Sequence, residues 1–265
     1  GTTYYYAVYA YDHAKNYFTP ESPVRGAVIS ANLQNKEEIA GFFERIKKNQ
    51  HYQTIAILSS AKMDTQPFAI SDYAYRTPYG LLIPPPDLLQ KIDQDLAKRE
   101  VWPAMFAPFI AKSFPKAGYL PVFVNENATP AQLQQLAEWL ATALPKDTLV
   151  IAQAVSKTSA VSSVAEYQLK YTKNVLENFD ENKFANLPLN NTVTINVLQK
   201  YLTKRHAQKI QNQFIDATNG SFISFAKDGP VYQSRSVFIV AFGDLMFDRL
   251  VRTLMERHSL DYPFE

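Results

Sequence analysis

Ala27-Val-Ile-Ser30 and Thr54-Ile-Ala-Ile-Leu58 stand on either side of Lys36 to Lys48, where Ile39, Phe42, Phe43 and Ile46 recur at the i, i+3, i+4, i+7 spacing of one helix face. That order is a strand, an amphipathic helix and a second strand. The second run, apolar at nearly every position, has the composition of a strand covered on both faces, as parallel strands are. Strands alternating with helices predict an α/β fold, a three-layer arrangement with a mostly parallel central sheet and helices on both sides.

The pattern continues outward from this unit. Tyr73 to Thr77 and Leu81 to Ile83 flank Pro78-Tyr79-Gly80 and predict a hairpin or arm. Asp87 to Lys98 places Leu88, Leu89, Ile92 and Leu96 on one stripe, and Pro103 to Phe114 predicts a more apolar helix under the sheet. Tyr119 to Val124 is the next strand. Thr129-Pro130-Ala131-Gln132 then supplies an N-cap hydroxyl, a proline at N1 and a glutamine at N3, a capping box for the helix that carries Leu133, Leu136 and Leu140. Thr148 to Ala152 predicts another buried strand, Val161 to Leu176 and Thr192 to Leu202 predict helices, and Lys209 to Ile215 an outer strand. Ligands of such sheets sit beyond the carboxyl ends of the parallel strands, so chemistry is expected just after Ser30, Leu58, Val124 and Ala152.

Composition narrows the partners. Of 265 residues, 46% are apolar, 20% charged and 13% aromatic, values that exclude a disordered chain. A formal charge of +2 gives no basic field for nucleic acid. The densest basic stretch, Lys200 to His206, reads as a helix end whose cations complement the dipole, with phosphate binding as the alternative. There is no cysteine, hence no disulfide or thiolate site, and no run of about 20 apolar residues that would span a bilayer. The first residue, Gly1, suggests either an artificial start or a processed end from which an export signal or anchor was removed.

Over about residues 24 to 220 the order of features resembles the Memo family, protein B of the AmmeMemoRadiSam set, related to the class III extradiol dioxygenases. Ala27-Val-Ile-Ser-Ala-Asn32 stands where that family has a strand running into Ala-Pro-His. Ile55-Ala-Ile-Leu-Ser-Ser-Ala-Lys-Met63 stands where it has a strand running into Gly-Pro-Ser-His-His. Tyr75-Arg-Thr-Pro-Tyr-Gly80 is close to its Arg-Thr-Pro turn. Met105-Phe-Ala-Pro-Phe109 stands where it has a His-Ser-x-Glu-x-His-x-Pro-Phe helix start, and Leu149-Val-Ile-Ala-Gln-Ala-Val-Ser-Lys157 where it has a Ser-Ser-Asp-Phe-Ser-His strand end.

The frame matches and the polar chemistry does not. Where the resemblance implies metal ligands or acid/base groups, this chain has Asn32, Lys62, Met63, Val101, Ala104, Phe106, Ala154 and Lys157. A first-row metal needs several imidazole, carboxylate or thiolate ligands at one point, and none of these residues supplies one. The expectation is a degenerate cleft with no metal, no cofactor and no catalytic residue, still able to bind a ligand at Asn32, Lys62, Met63, Ala104, Phe106, Ala154 and Lys157.

The C-terminal stretch reads differently. Val237-Phe-Ile-Val-Ala-Phe242 runs into Gly243-Asp244-Leu-Met-Phe-Asp-Arg249 and a helix with Leu250, Leu254 and Met255 on one stripe. With Asp261-Tyr-Pro-Phe-Glu265 it resembles the opening of CapA-type domains, metallophosphatase-like and linked to poly-γ-glutamate capsule synthesis. That resemblance makes Asp244 a metal ligand of a longer protein. The expected division is a Memo-like domain over 1–235 and, over 236–265, either the first β-α unit of a CapA-like domain or the last strand and helix of the same domain.

The favoured expectation is a non-catalytic interaction or scaffold domain of an extracytoplasmic, N-terminally anchored envelope protein, bound to an unknown protein or envelope component. One alternative is enzymatic, through a remodelled cleft using Lys62, Lys157 and Asn32 or through Asp244 in a phosphatase-like site. Another uses the tyrosines of Tyr4 to Tyr11 to bind carbohydrate or peptide, against their plainer reading as an edge strand.

Overall fold

The structure is a computed structural model that describes residues 23–30, 36–48, 50–89, 102–156, 162–178, 181–184, 186–190, 192–206, 210–216 and 222–228. The tyrosine-rich strand at Tyr4 to Tyr11, the helix expected beyond Leu89, and the whole of 236–265 lie outside the described residues.

Four parallel strands make the centre. They are β1 (Val24–Ser30), β2 (Thr54–Ala61), β6 (Gly118–Asn125) and β7 (Thr148–Ser156), side by side in the order β6-β2-β7-β1. Antiparallel strands extend both sides. β3 (Phe68–Ile70) pairs with β6, while β10 (Phe222–Asp228) pairs with β1 and carries β9 (Ile210–Asp216) at the margin. The short β8 (Leu189–Asn190) pairs with β7, and β4 (Tyr75–Thr77) with β5 (Gly80–Leu82) forms a separate two-stranded arm.

Helices cover both faces, as the apolar runs require. On one face α1 (Lys36–Lys47) and α2 (Trp102–Ser113) bury Ile39, Phe42, Phe43, Ile46, Phe106 and Ile110 against Ile29, Ile55, Ile57, Leu149, Ile151 and Phe225. On the other, α3 (Pro130–Ala143), α4 (Ser162–Asn178), α5 (Glu181–Phe184) and α6 (Thr192–His206) pack on Val28, Ala56, Leu58, Leu120, Val122, Val150 and Ala152. Odd and even positions of each central strand thus feed different cores, the period-two consequence of the pleat. The crossovers β1 to β2 and β2 to β6 carry α1 and α2, while β6 to β7 returns with α3 on the opposite face. Reversing direction along the sheet switches faces, as right-handed connections demand.

Local chemistry sets the ends of these elements. The Thr129 capping box is present: the Gln132 amide donates to Thr129 Oγ1 at 3.3 Å and the Thr129 amide to Gln132 Oε1 at 2.8 Å. At the far end of α3 the Arg205 guanidinium donates to the carbonyls of Ala141 at 3.0 Å and Leu144 at 2.7 Å. Lys204 lies 3.9 Å from Glu138 on the same helix. Two cations of the Lys200 to His206 stretch therefore bind α3, a more specific role than a solvated helix end.

Two strands differ from expectation. Phe68–Ile70 falls in a segment that reads as a polar loop, yet a three-residue strand forms there because β6 offers it an edge. Phe222–Asp228 was assigned no element by its sequence, and it inserts between β1 and β9. Where the helix from Asp87 is expected, the described residues show a single 3-10 turn over Pro86–Leu88.

Two glycines give opposite predictions. A Cβ on Gly118 would stand 2.6 Å from Pro85 Cγ, a rigid ring, whereas a Cβ on Gly41 in the middle of α1 meets nothing within 4 Å. Gly118→Ala should destabilise the domain by about 1–3 kcal/mol through overpacking, and Gly41→Ala should stabilise it by about 0.5–1 kcal/mol through helix propensity. Urea midpoints that move in the same direction for both variants would contradict this packing.

Candidate functional site

The carboxyl ends of the parallel strands all lie at one edge of the sheet, the position where this architecture holds ligands. β2 ends in Ser59, Ser60 and Ala61, β6 in Asn125, and β7 passes through Gln153 and Ala154. All six residues are buried.

Asn125 is committed to structure. Its Nδ2 donates to the Met63 and Gln66 carbonyls, both at 2.9 Å, and its Oδ1 accepts from the Asn127 amide at 3.0 Å. One carboxamide therefore ties the loop after β2 to the turn after β6. Its donors and acceptor are used up by backbone groups, and a carboxamide has little affinity for a first-row metal in any case.

Those of the residues singled out from the sequence that lie among the described residues do not converge on one point. Lys62 is exposed, and Met63 is half-buried against Ala61, Ala69 and Phe123. Phe106 is wholly buried in the core under α1 and α2, while Ala154 is wholly buried in the core on the opposite face. The sheet separates them, so Phe106 and Ala154 cannot line one cleft. Ala104, two residues from Phe106 along α2, is exposed. Asn32, Val101, Lys157 and Asp244 lie outside the described residues. Among the described residues no group of three or more His, Asp or Glu side chains could hold a metal ion.

A phenol cluster braces the same half of the sheet. The Tyr119 hydroxyl donates to the Pro103 carbonyl in the first turn of α2, and the Tyr75 ring stands edge-on to Tyr119 at 5.2 Å. Tyr73 packs edge-on against Tyr75 at 5.7 Å, and its amide donates to Ser71 Oγ. Burial pushes the Tyr119 phenol well above its ordinary pKa, with Tyr75 adding to the shift. Tyr75 is raised as well, by burial first, an effect its contact with Ser71 partly offsets. Phenols held neutral in this way are packing groups at neutral pH and not bases.

Among the described residues, four of the six exposed large apolar side chains gather on one feature, while Val164 and Tyr167 lie on α4. Tyr73, Tyr79, Leu81 and Ile83 are each about half exposed, all on the β4-β5 arm or its immediate flanks. Lys112 lies 6.0 Å from the Tyr79 ring centroid.

Sequence reasoning located the strand ends and passed over the side chains that matter there. Ser59 and Gln153 follow Leu58 and Ala152 directly, and neither Ser59 Oγ nor Gln153 Nε2 has a hydrogen-bond partner among the described residues. The available signal was a polar residue inside an otherwise apolar strand run, in the position just past the last apolar pair.

Among known proteins, no protein-family model and no curated protein matches this chain. Among solved structures, it is similar to an uncharacterized protein from Escherichia coli K12, at 12% identity and a TM-score of 0.43, over 78% of this chain and 100% of the other. Among the described residues no helix is long and apolar enough to cross a membrane.

The Asn125 clamp predicts a pH-dependent variant. In Asn125→Asp both donors are lost and a carboxylate faces two carbonyl oxygens, so the new group's folded-state pKa lies above its unfolded value of about 3.9. A raised folded pKa gives no penalty while both states are protonated, and a penalty that grows as pH rises through the folded pKa. Urea unfolding should show a small loss below about pH 4 and a loss of about 2–3 kcal/mol at pH 7. A loss equal at both pH values would contradict the role assigned to the two Nδ2 donors.

Proposed function

We propose that this chain is a Memo-like domain that has lost metal chemistry and acts as a non-catalytic interaction or scaffold domain of an extracytoplasmic, N-terminally anchored protein. The carrying observation is how the strand ends are filled. Met63 packs on Ala61, Ala69 and Phe123, and Asn125 is consumed by backbone groups, where a metal-dependent enzyme would present imidazole or carboxylate ligands around an open position. An apolar surface on the β4-β5 arm supports a binding role, since exposed apolar patches mark interaction sites. The enzymatic alternative through lysine needs a desolvated amine, and Lys62 is exposed. Asp244 would belong to any chemistry of a CapA-like continuation.

Metal analysis of the purified full chain, after incubation with iron, copper and zinc salts and gel filtration, tests this reading. The expected content is below about a tenth of an equivalent of any first-row metal, because a site without anionic or imidazole ligands retains none. One equivalent of retained metal would overturn the proposal.

A further inference from the structure

Tyr73-Ala-Tyr-Arg-Thr-Pro-Tyr-Gly-Leu-Leu-Ile83 contains the β4-β5 arm and holds a single charged side chain, Arg76. The two faces of the arm differ. Tyr75 stands opposite Leu82 and both are buried, so the pleat turns the next pair, Arg76 and Leu81, away from the core. Ile83 follows Leu81 on the same outer face and is exposed with it. Pro78, Tyr79 and Gly80 are exposed as well, and a Cβ built on Gly80 meets nothing within 4 Å, so the turn stands clear of the body.

Charge at this outer face is of one sign. Arg76 is exposed, and among the described residues it has no ion-pair partner. Lys112, in the last turn of α2, places its Nζ 6.0 Å from the Tyr79 ring centroid and 3.7 Å from a Glu44 carboxylate oxygen. Glu44 thus offsets Lys112 and leaves Arg76 as the open charge. The acids nearest along the chain are Asp72, half-buried, and Asp87, and both lie outside the segment.

We propose that the tip of the β4-β5 arm docks on the surface of an anionic lipid bilayer, with Tyr79, Leu81 and Ile83 entering the interface and Arg76 meeting a headgroup phosphate. Shape favours lipid over a peptide. Peptides and helices dock into grooves or along open sheet edges, whereas a projecting turn suits a surface that yields to it. Size excludes a second copy held through the arm alone: strands of three residues are about 10 Å long, and such a contact covers far less than the roughly 800 Å² per partner of a stable interface. Composition completes the match. Tyrosine, with an apolar ring and a polar tip, belongs at headgroup level, and an open guanidinium beside aliphatic side chains complements a negatively charged lipid surface. The contact is peripheral. It rests on reading the arm as an interaction surface and is independent of the loss of metal chemistry, which metal content tests separately.

Co-flotation of the full chain with vesicles tests the proposal, using phosphatidylcholine alone and an equal mixture of phosphatidylcholine and phosphatidylglycerol. The chain should partition onto the mixed vesicles in preference to the neutral ones. Partitioning should fall at least about tenfold in a Leu81→Ser, Ile83→Ser variant, which removes apolar area that is already exposed in the fold. Arg76→Glu should lower it about tenfold on the mixed vesicles and leave it unchanged on the neutral ones. Because the chain has no cysteine, Tyr79→Cys accepts one polarity-sensitive fluorophore, whose emission should rise with mixed vesicles, while the same label at Ser163→Cys on exposed α4 should not respond. No partitioning onto either vesicle would overturn the proposal and leave the arm to a protein partner. Equal partitioning onto both vesicles, full partitioning by the Leu81→Ser, Ile83→Ser variant, or an equal response from the two labels would also overturn it.

Discussion

Everything in this domain follows from a parallel sheet that must be dry on both faces. Four parallel strands in the order β6-β2-β7-β1 have no solvent side, so Ile55, Ile57, Leu149 and Ile151 need one helical layer and Ala56, Leu58, Val150 and Ala152 another. The connections supply those layers without a choice, since right-handed crossovers put α1 and α2 on one face and α3 on the other. The antiparallel strands β3 on one side and β10 with β9 on the other then extend the sheet beyond its parallel centre.

The same constraint shapes the carboxyl edge. Strands this apolar carry burial right to their ends, so polar residues there are satisfied locally or carry the cost of burial. Asn125 takes the first course, binding two loop carbonyls and one amide. Ser59 Oγ and Gln153 Nε2 lie where β2 and β7 diverge and meet no hydrogen-bond partner among the described residues. Met63 and Phe123 fill neighbouring volume with apolar atoms. An edge assembled from a structural clamp, apolar filling and a neutral polar pair is suited to holding shape, which is the physical basis for reading the domain as a scaffold.

How much of this was legible depended on whether the signal was local. The capping box at Thr129 and Gln132 and the stripe of Ile39, Phe42, Phe43 and Ile46 involve residues within one helix, and both formed as their spacing dictates. The buried runs gave the parallel centre because apolar continuity is itself the mark of two-sided burial. β3 has only three residues, too few for a period, and β10 takes its place through pairing with residues some 200 positions earlier, at Val24 to Ile29. Site geometry failed for a related reason. Strand alternation sends Ala154 to the face opposite Phe106, and the sequence does not say which face α2 will cover. Ala104 and Phe106, two steps apart on a helix, diverge by about 200° and could not share a cleft.

The central claim is that the carboxyl edge of the sheet is closed structure and not an opening site. Hydrogen–deuterium exchange resolved to single amides measures this directly. The amides of Val122 to Asn125, paired with β2 on one side and with β3 and Pro67 on the other, should exchange only with global unfolding, as slowly as those of Ile55 to Leu58 in the middle of the sheet. Exchange of the edge amides within minutes, while Ile55 to Leu58 stay protected, would mean that the edge opens on its own and would contradict the account.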